Sequence, residues 1–230
     1  MAIYVKLLAY TPDAAKVVAA AAKLCYSAST AAELFDDLDA DKITGFLNGL
    51  RKSGHASPFE HANFTFAIEG LSRVATNQLV RHRLASFSQQ SQRYVSMDGQ
   101  FCIVPESIKA IPEAVKLFEE QMKAASDCYA KLVELGVEKE DARFILPHGM
   151  ETRIVVTMNA RELHHFFALR LCKRAQWEIR ELARQMCKLA KEAAPQLFTL
   201  AGPSCVTQGR CGEARPCGDP YPSMEAMLED

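Results

Sequence analysis

The sequence predicts an α+β fold, with one domain over residues 1–202 and a Gly-, Pro- and Cys-rich tail over 203–230. Short alternating runs, Ile3-Val5-Leu7 and Phe64-Phe66-Ile68, have the period of strands, while longer stretches keep the period of helices. The two kinds of element do not alternate as regular βαβ units, which points to α+β.

Ile3, Val5 and Leu7 open the chain as a strand. Thr11 and Pro12 start a helix, since Pro is tolerated in a first turn where its missing donor matters least. Thr30 and Glu33 stand at capping-box spacing before a second helix. Ile43, Phe46, Leu47 and Leu50 continue at helical period until Gly54. Phe64 to Ile68 is a strand, and Gly70-Leu71-Ser72 begins a short helix. Residues 84–92 have no apolar period and read as a loop, and Phe101 to Val104 is a short strand ended by Pro105. The longest helix runs from Pro112 to Leu135, with Gly136 as its stop. Ile154 to Met158 reads as a buried strand that leads through Asn159 into helical sequence, broken near residue 173, as far as Pro195. The tail from Pro203 is expected to be irregular.

At 230 residues, 49% hydrophobic and 24% charged, the chain has the composition of a soluble globular protein. Its formal net charge of -1 implies no global attraction to nucleic acid or membrane, so an anionic ligand must be held by locally clustered cations. The first residues lack a basic, then apolar, leader, and charges interrupt every candidate run of about 18 apolar residues. Eight cysteines in such a chain fit a reducing compartment, and the expected location is the cytoplasm.

The chemistry is concentrated between Gly70 and Met97, a stretch without Asp or Glu that holds Arg73, Arg81, His82, Arg83 and Arg93 among serines and glutamines. Guanidinium forks bind phosphate oxygens through paired hydrogen bonds, and Ser and Gln add directional donors and acceptors. The combination suits a nucleotide. A basic surface, with arginines paired to acids elsewhere, has the same composition. A third reading is a single-strand nucleic-acid-binding module over residues 73–94 with Tyr94 and Phe87 as stacking platforms. Confinement of the cations to one segment, and an aromatic content of only 8%, speak against it.

The order of the residues adds what composition leaves open. Arg81-His82-Arg83, seven further residues, then Ser91-Gln92-Arg93-Tyr94 resembles the signature of flavin-dependent thymidylate synthases. Blocks at His55-Ala56-Ser57-Pro58-Phe59-Glu60-His61, Leu146-Pro147, Asn159-Ala160-Arg161 and Ala175-Gln176-Trp177-Glu178 resemble the same family in the same order. The resemblance implies a thymidylate synthase-complementing type fold, a central, mostly antiparallel sheet flanked by long helices. It implies reductive methylation of dUMP to dTMP, with methylenetetrahydrofolate as carbon donor and NADPH-reduced FAD as hydride source. It also implies a homotetramer with active sites where subunits meet, and no nucleic-acid or membrane partner.

By the same resemblance, His55, Ser57, Arg81, His82, Arg83, Gln89, Asn159, Arg161 and His165 fall at FAD-binding positions, with Glu60 in support. Gln78, Arg81, Gln89, Ser91, Arg93, Arg143 and Arg170 fall at dUMP-binding positions. Arg170 matches the group that stabilises negative charge at the N3 side of the uracil. Its apolar setting, Phe166-Phe167-Ala168-Leu169-Arg170-Leu171, suits that role, and equally suits an arginine whose stem covers apolar surface. Ser91 invites assignment as a nucleophile, yet the local sequence has no acid to orient a base for it, so it is expected to position dUMP.

The chain departs from the family pattern at three positions. Gln89 stands where many members carry Glu, His165 where some carry Asn, and Arg174 where His can occur. An ion pair with Glu178 is an alternative role for Arg174. In the tail, Cys205, Cys211 and Cys217, with Cys172 as a fourth, have the ligand types of a zinc site without the usual close-pair spacing, and free thiols or a disulfide are the other readings.

Overall fold

The computed structural model describes residues 3–39, 42–96 and 102–230. Four strands, β1 (Tyr4–Tyr10), β2 (Asn63–Ser72), β3 (Ala85–Gln89) and β4 (Glu151–Asn159), form one antiparallel sheet in the order β1-β2-β4-β3. The first three helices are α1 (Ala14–Leu24), α2 (Ala31–Asp36) and α3 (Thr44–Lys52). They are followed by α4 (Arg73–Leu79), α5 (Glu106–Lys109), α6 (Pro112–Glu134) and α7 (Lys139–Ala142). The remaining four are α8 (Ala160–Arg170), α9 (Trp177–Ala193), α10 (Ser204–Thr207) and α11 (Met224–Glu229). The α+β class expected from the sequence is the class observed.

Local chemistry sets several boundaries. Thr30 Oγ1 accepts from the Glu33 backbone N–H at 3.3 Å while Glu33 Oε2 accepts from the Thr30 N–H at 2.8 Å, the reciprocal capping box that starts α2. Asn159 Oδ1 caps α8 by accepting from Glu162 N–H at 2.9 Å. Gln176 Oε1 caps α9 by accepting from the N–H groups of Glu178 and Ile179. Helix α6 ends at Gly136, whose φ of 88° is the left-handed turn that a Cβ would strain.

Three expectations change. Gly70-Leu71-Ser72 does not begin a helix: it finishes β2, and Ser72 Oγ accepts from Ala75 N–H at 3.1 Å to cap α4. Residues 84–92 are not all loop, because 85–89 form β3. This strand is mixed in exposure and has Phe87 as its one large apolar residue, so its apolar signal is weak. Its pairing beside β4 comes from the backbone, with Gln90 N–H bonded to Arg153 O at 2.9 Å. The tail is not wholly irregular, since it contains α10 and α11. In the expected strand at 101–104, Phe101 lies outside the described residues, and Cys102 forms an isolated bridge with Met150.

The chain divides into two compact units. The first comprises Met1–Tyr4, Ile68–Arg81 and Ser88–Ile154. Its hydrophobic cluster is Tyr129, Ala142 and Met150, flanked by Leu132, Val133, Val137 and Leu146. The second comprises Val5–Ala67, His82–Phe87 and Val155–Asp230. It has the larger aromatic core, in which Phe198 meets Phe64 and Phe167 edge-on, with ring centroids 5.3 and 6.0 Å apart. Within this unit the tail docks by burying Tyr221, Met224, Met227 and Leu228, and Arg184 donates to Leu228 O at 3.0 Å. Gly202, at φ 126°, admits the close approach of Met227, whose Sδ would lie 2.9 Å from a Cβ there.

Candidate active site

The connection from α4 to β3 carries Arg81-His82-Arg83. The two arginines are exposed and His82 is buried, 3% exposed. In the second unit His82 Nδ1 lies 2.9 Å from Glu162 Oε1, and Arg170 Nε lies 3.1 Å from His82 Nε2. A guanidinium can only donate, so Nε2 is the acceptor and the proton sits on Nδ1, where it donates to the Glu162 carboxylate. Burial holds the His82 pKa below its ordinary value. The Glu162 hydrogen bond opposes that shift, while Arg170 and His165 add to it. The ring is therefore neutral at pH 7, as its tautomer requires. Phe166 and His165 pack against it, with centroids 4.9 and 5.6 Å away. Burial also lowers the Arg170 pKa.

His82, Glu162 and exposed His165 offer ligand atoms within 4.8 Å of one another, the one such group of three among the described residues. Both ring nitrogens of His82 are already engaged, and the Arg170 cation is beside them, so the trio is built for hydrogen bonding and not for a metal ion. His164, also buried, is a separate case. Its Nε2 donates to Leu197 O at 3.0 Å, its Nδ1 has no partner, and burial, then Arg51, push its pKa down to about 3.

A second group in this unit lines a cleft of about 350 Å³. His55, Ser57 and Arg161 share it with Tyr26, Leu50 and Pro58, and Arg161 is ion-paired to Glu60. His55 follows α3, Ser57 opens a 3-10 turn (Ser57–His61), and Arg161 is in the first turn of α8. Three of the expected FAD residues are thus brought together, with expected support from Glu60. Asn159 spends its side-chain oxygen on the α8 cap.

The first unit holds a different arrangement. Arg93 is ion-paired to Glu140, and Arg143 Nε donates to the Glu140 carbonyl at 3.0 Å. Arg73 donates to Gln90 O at 3.0 Å, and its pKa is lowered by burial and then by Arg143. Its Nε is buried without a partner. Ser91 Oγ accepts from Arg93 N–H at 3.1 Å, and Gln89 Nε2 donates to the hydroxyls of Thr76 and Thr152, both at 3.3 Å. Gln78 is half-buried on α4. Sequence reasoning assigned no site role to Arg73 or Glu162. Arg73 was visible as a member of the one-signed stretch, whereas Glu162 had no local signal.

Cys172, Cys205, Cys211 and Cys217 all line one pocket of about 320 Å³ between the end of α8 and the tail, and all four thiols are free. No three of their sulfurs come within 4.8 Å of one another, so the thiols share a pocket without converging on a tetrahedral centre. Arg174 donates to Arg215 O in the tail.

Comparison with known proteins places the chain in a family. The model of the thymidylate synthase complementing protein family matches residues 6–196. The flavin-dependent thymidylate synthase of Geobacter sulfurreducens is 54% identical over 91% of this chain and 90% of its own. That of Clostridium tetani is 48% identical over 95% and 94%. Among solved structures, the UMP/dUMP methylase of Streptomyces cacaoi bound with 5-Br dUMP superposes with a TM-score of 0.77 at 26% identity. It covers 85% of this chain and 93% of that one.

Proposed function

The chain belongs to the thymidylate synthase complementing protein family, and on that premise we propose that it is a flavin-dependent thymidylate synthase converting dUMP to dTMP. Methylenetetrahydrofolate is the carbon donor and NADPH the source of reducing equivalents. The working form is a homotetramer in the cytoplasm, with active sites at subunit interfaces. The eight cysteines suit that compartment, and no helix among the described residues is long and apolar enough to cross a membrane.

One observation carries the substrate class: among the described residues three arginines, Arg73, Arg93 and Arg143, have one carboxylate partner, Glu140 on Arg93, while Arg143 and Arg73 donate to backbone carbonyls and the buried Arg73 Nε lacks a partner. Such a group is short of negative charge, and the phosphate of dUMP supplies it in the geometry a guanidinium prefers. Gln78, Arg81, Gln89 and Ser91 complete the nucleotide contacts in this reading. Ser91 already accepts a backbone N–H beside Arg93, a turn-forming role that suits positioning and not nucleophilic attack.

The cleft formed by His55, Ser57 and Arg161 fits part of FAD, since it combines polar donors with the apolar walls of Leu50 and Pro58. Arg81, Arg83, Gln89, Asn159 and His165 are the further residues that would hold it, while His82, buried with both ring nitrogens engaged, would serve the FAD site only through its neighbours. When bound, FAD supplies hydride and one-carbon transfer chemistry, so the protein needs no nucleophile of its own. Arg170 is the group assigned to the uracil, where a fixed cation stabilises negative charge developing at the N3 side. Its hydrogen bond to neutral His82 fixes the direction of the guanidinium.

The test is NADPH oxidation that depends on both dUMP and methylenetetrahydrofolate, with dTMP identified as product. A purified protein that is colourless and fails to bind FAD overturns the reading. UMP belongs in the same assay because the Streptomyces cacaoi protein is a UMP/dUMP methylase. Turnover of UMP at the rate of dUMP would replace the substrate assignment with a broader one.

A further inference from the structure

Glu162 stands just after the block Asn159-Ala160-Arg161, on the buried side of α8, and is 5% exposed. A carboxylate removed from water is stable only when its oxygens are hydrogen-bonded, and Glu162 meets that need with His82 Nδ1. The imidazole then joins two groups of one helix, Glu162 and Arg170, eight residues or just over two turns apart.

We propose that Glu162 is a positioning residue for the reaction, acting through His82 to hold the Arg170 guanidinium in place. The proposal rests on the reading of Arg170 as the group that acts on the uracil. The logic is one of donors and acceptors. Glu162 can only accept and Arg170 can only donate, so together they admit one neutral tautomer of the ring between them. Without the Glu162 carboxylate the proton is no longer pinned to Nδ1. Once it moves to Nε2 it faces the Arg170 Nε–H, donor against donor, and Nε loses this acceptor. Phe166 and His165 pack edge-on against the ring and restrict its rotation toward a substitute partner.

Protonation of His82 breaks the relay in the same way, because the imidazolium has no acceptor nitrogen. The charged and titratable groups that act on the ring are Glu162, Arg170 and His165, and of these only Glu162 supports the protonated form. Removing its charge therefore moves the acid limb of activity to lower pH.

The experiment uses the FAD-loaded enzyme and the variants Glu162→Ala, Glu162→Gln, Arg170→Lys and the double variant Glu162→Ala/Arg170→Lys. The readouts are kcat and KM for dUMP, dUMP binding by calorimetry, flavin absorbance as the check on folding, and the pH profile. Glu162→Ala is expected to lower kcat/KM for dUMP and weaken dUMP binding, each by about 10- to 100-fold, with flavin retained. Glu162→Gln keeps an acceptor and is expected to lose less, with its acid limb displaced to lower pH. Because Glu162 acts through Arg170, the double variant is expected to be no worse than Arg170→Lys alone. Additive losses, or an acid limb that stays in place in Glu162→Gln, overturn the relay while leaving the reading of Arg170 intact. An Arg170→Lys variant with unchanged kcat/KM overturns that reading and the relay with it. If Glu162→Ala does not fold, the Gln variant and its pH profile decide the matter alone.

Discussion

The two units hold their charges by opposite means. In the first, Arg73, Arg93 and Arg143 are partly solvated; Arg93 pairs with the Glu140 carboxylate, while Arg73 and Arg143 donate to the backbone carbonyls of Gln90 and Glu140, so among the described residues three cations have one anionic partner. In the second, His82 and Glu162 are buried, and the His82 ring proton and the Arg170 Nε–H each have a defined partner. An arginine group of the first kind recognises an anion by charge, and its geometry adapts. A buried relay of the second kind fixes direction, and a single wrong proton disables it. In the proposed reading, the first kind of arrangement suits the binding of a phosphate and the second suits the presentation of a group at one angle.

The largest expected effect tests the directional side. Arg170→Ala should lower kcat/KM for dUMP by about 100- to 1,000-fold, as removal of one charge-stabilising donor does elsewhere. Arg170→Lys should recover little, because an ammonium does not reproduce the fork. Steady-state kinetics showing a nearly active lysine variant would erase the contrast between the two regions.

Next in size is the phosphate grip. Arg73→Ala and Arg143→Ala should each raise KM for dUMP by about 10- to 100-fold, the value of one or two charge-assisted hydrogen bonds, with a smaller change in kcat. The comparison sharpens with deoxyuridine, which lacks the phosphate. Its turnover should be poor and equally poor in wild type and variants, and an equal loss on both substrates would detach these arginines from the phosphate.

Acid stability should also divide along this line. The buried histidines, His82 and His164, are both in the second unit. Folded His164 resists protonation down to about 3, against an ordinary value of 6.5. Between those values the unfolded chain binds one more proton, so stability falls as pH falls, by about 1.4 kcal/mol per pH unit for one such group. His82 shifts in the same direction. Hydrogen exchange should show α8 losing protection before α6 as pH drops from 7 to 5. Loss of α6 first would reverse the assignment.

The smallest effect expected is at Ser91. Ser91→Ala removes one hydrogen bond of about 1 kcal/mol and should cost less than about tenfold in kcat/KM. Abolished turnover with dUMP affinity intact would make Ser91 a reacting group and move chemistry into the first unit.

Much of this was legible along the chain. The α+β class, the capping box at Thr30, the long helix stopped by Gly136 and the break between α8 and α9 all follow from patterns within about a dozen residues. The acid-free run from Gly70 to Met97 has the composition of an anion site, and the order of Arg81, His82, Arg83 and Ser91 pointed to the family that the comparisons show. Strand β3 was missed because it is short and Phe87 is its one large apolar residue. Its ladder comes from backbone groups, which every residue except Pro carries alike.

By itself, then, the sequence determined the fold class, the strands and helices that carry an apolar period, and which residue types are available for a nucleotide and a flavin, because period and composition are local properties. Tertiary structure alone decided that His82 is a neutral link and not a free cation. Its partners lie 80 and 88 residues away, and a tautomer is set only by the groups that meet the ring in space. For the same reason Glu162 was invisible as a glutamate among helical residues until the fold brought it against a buried imidazole.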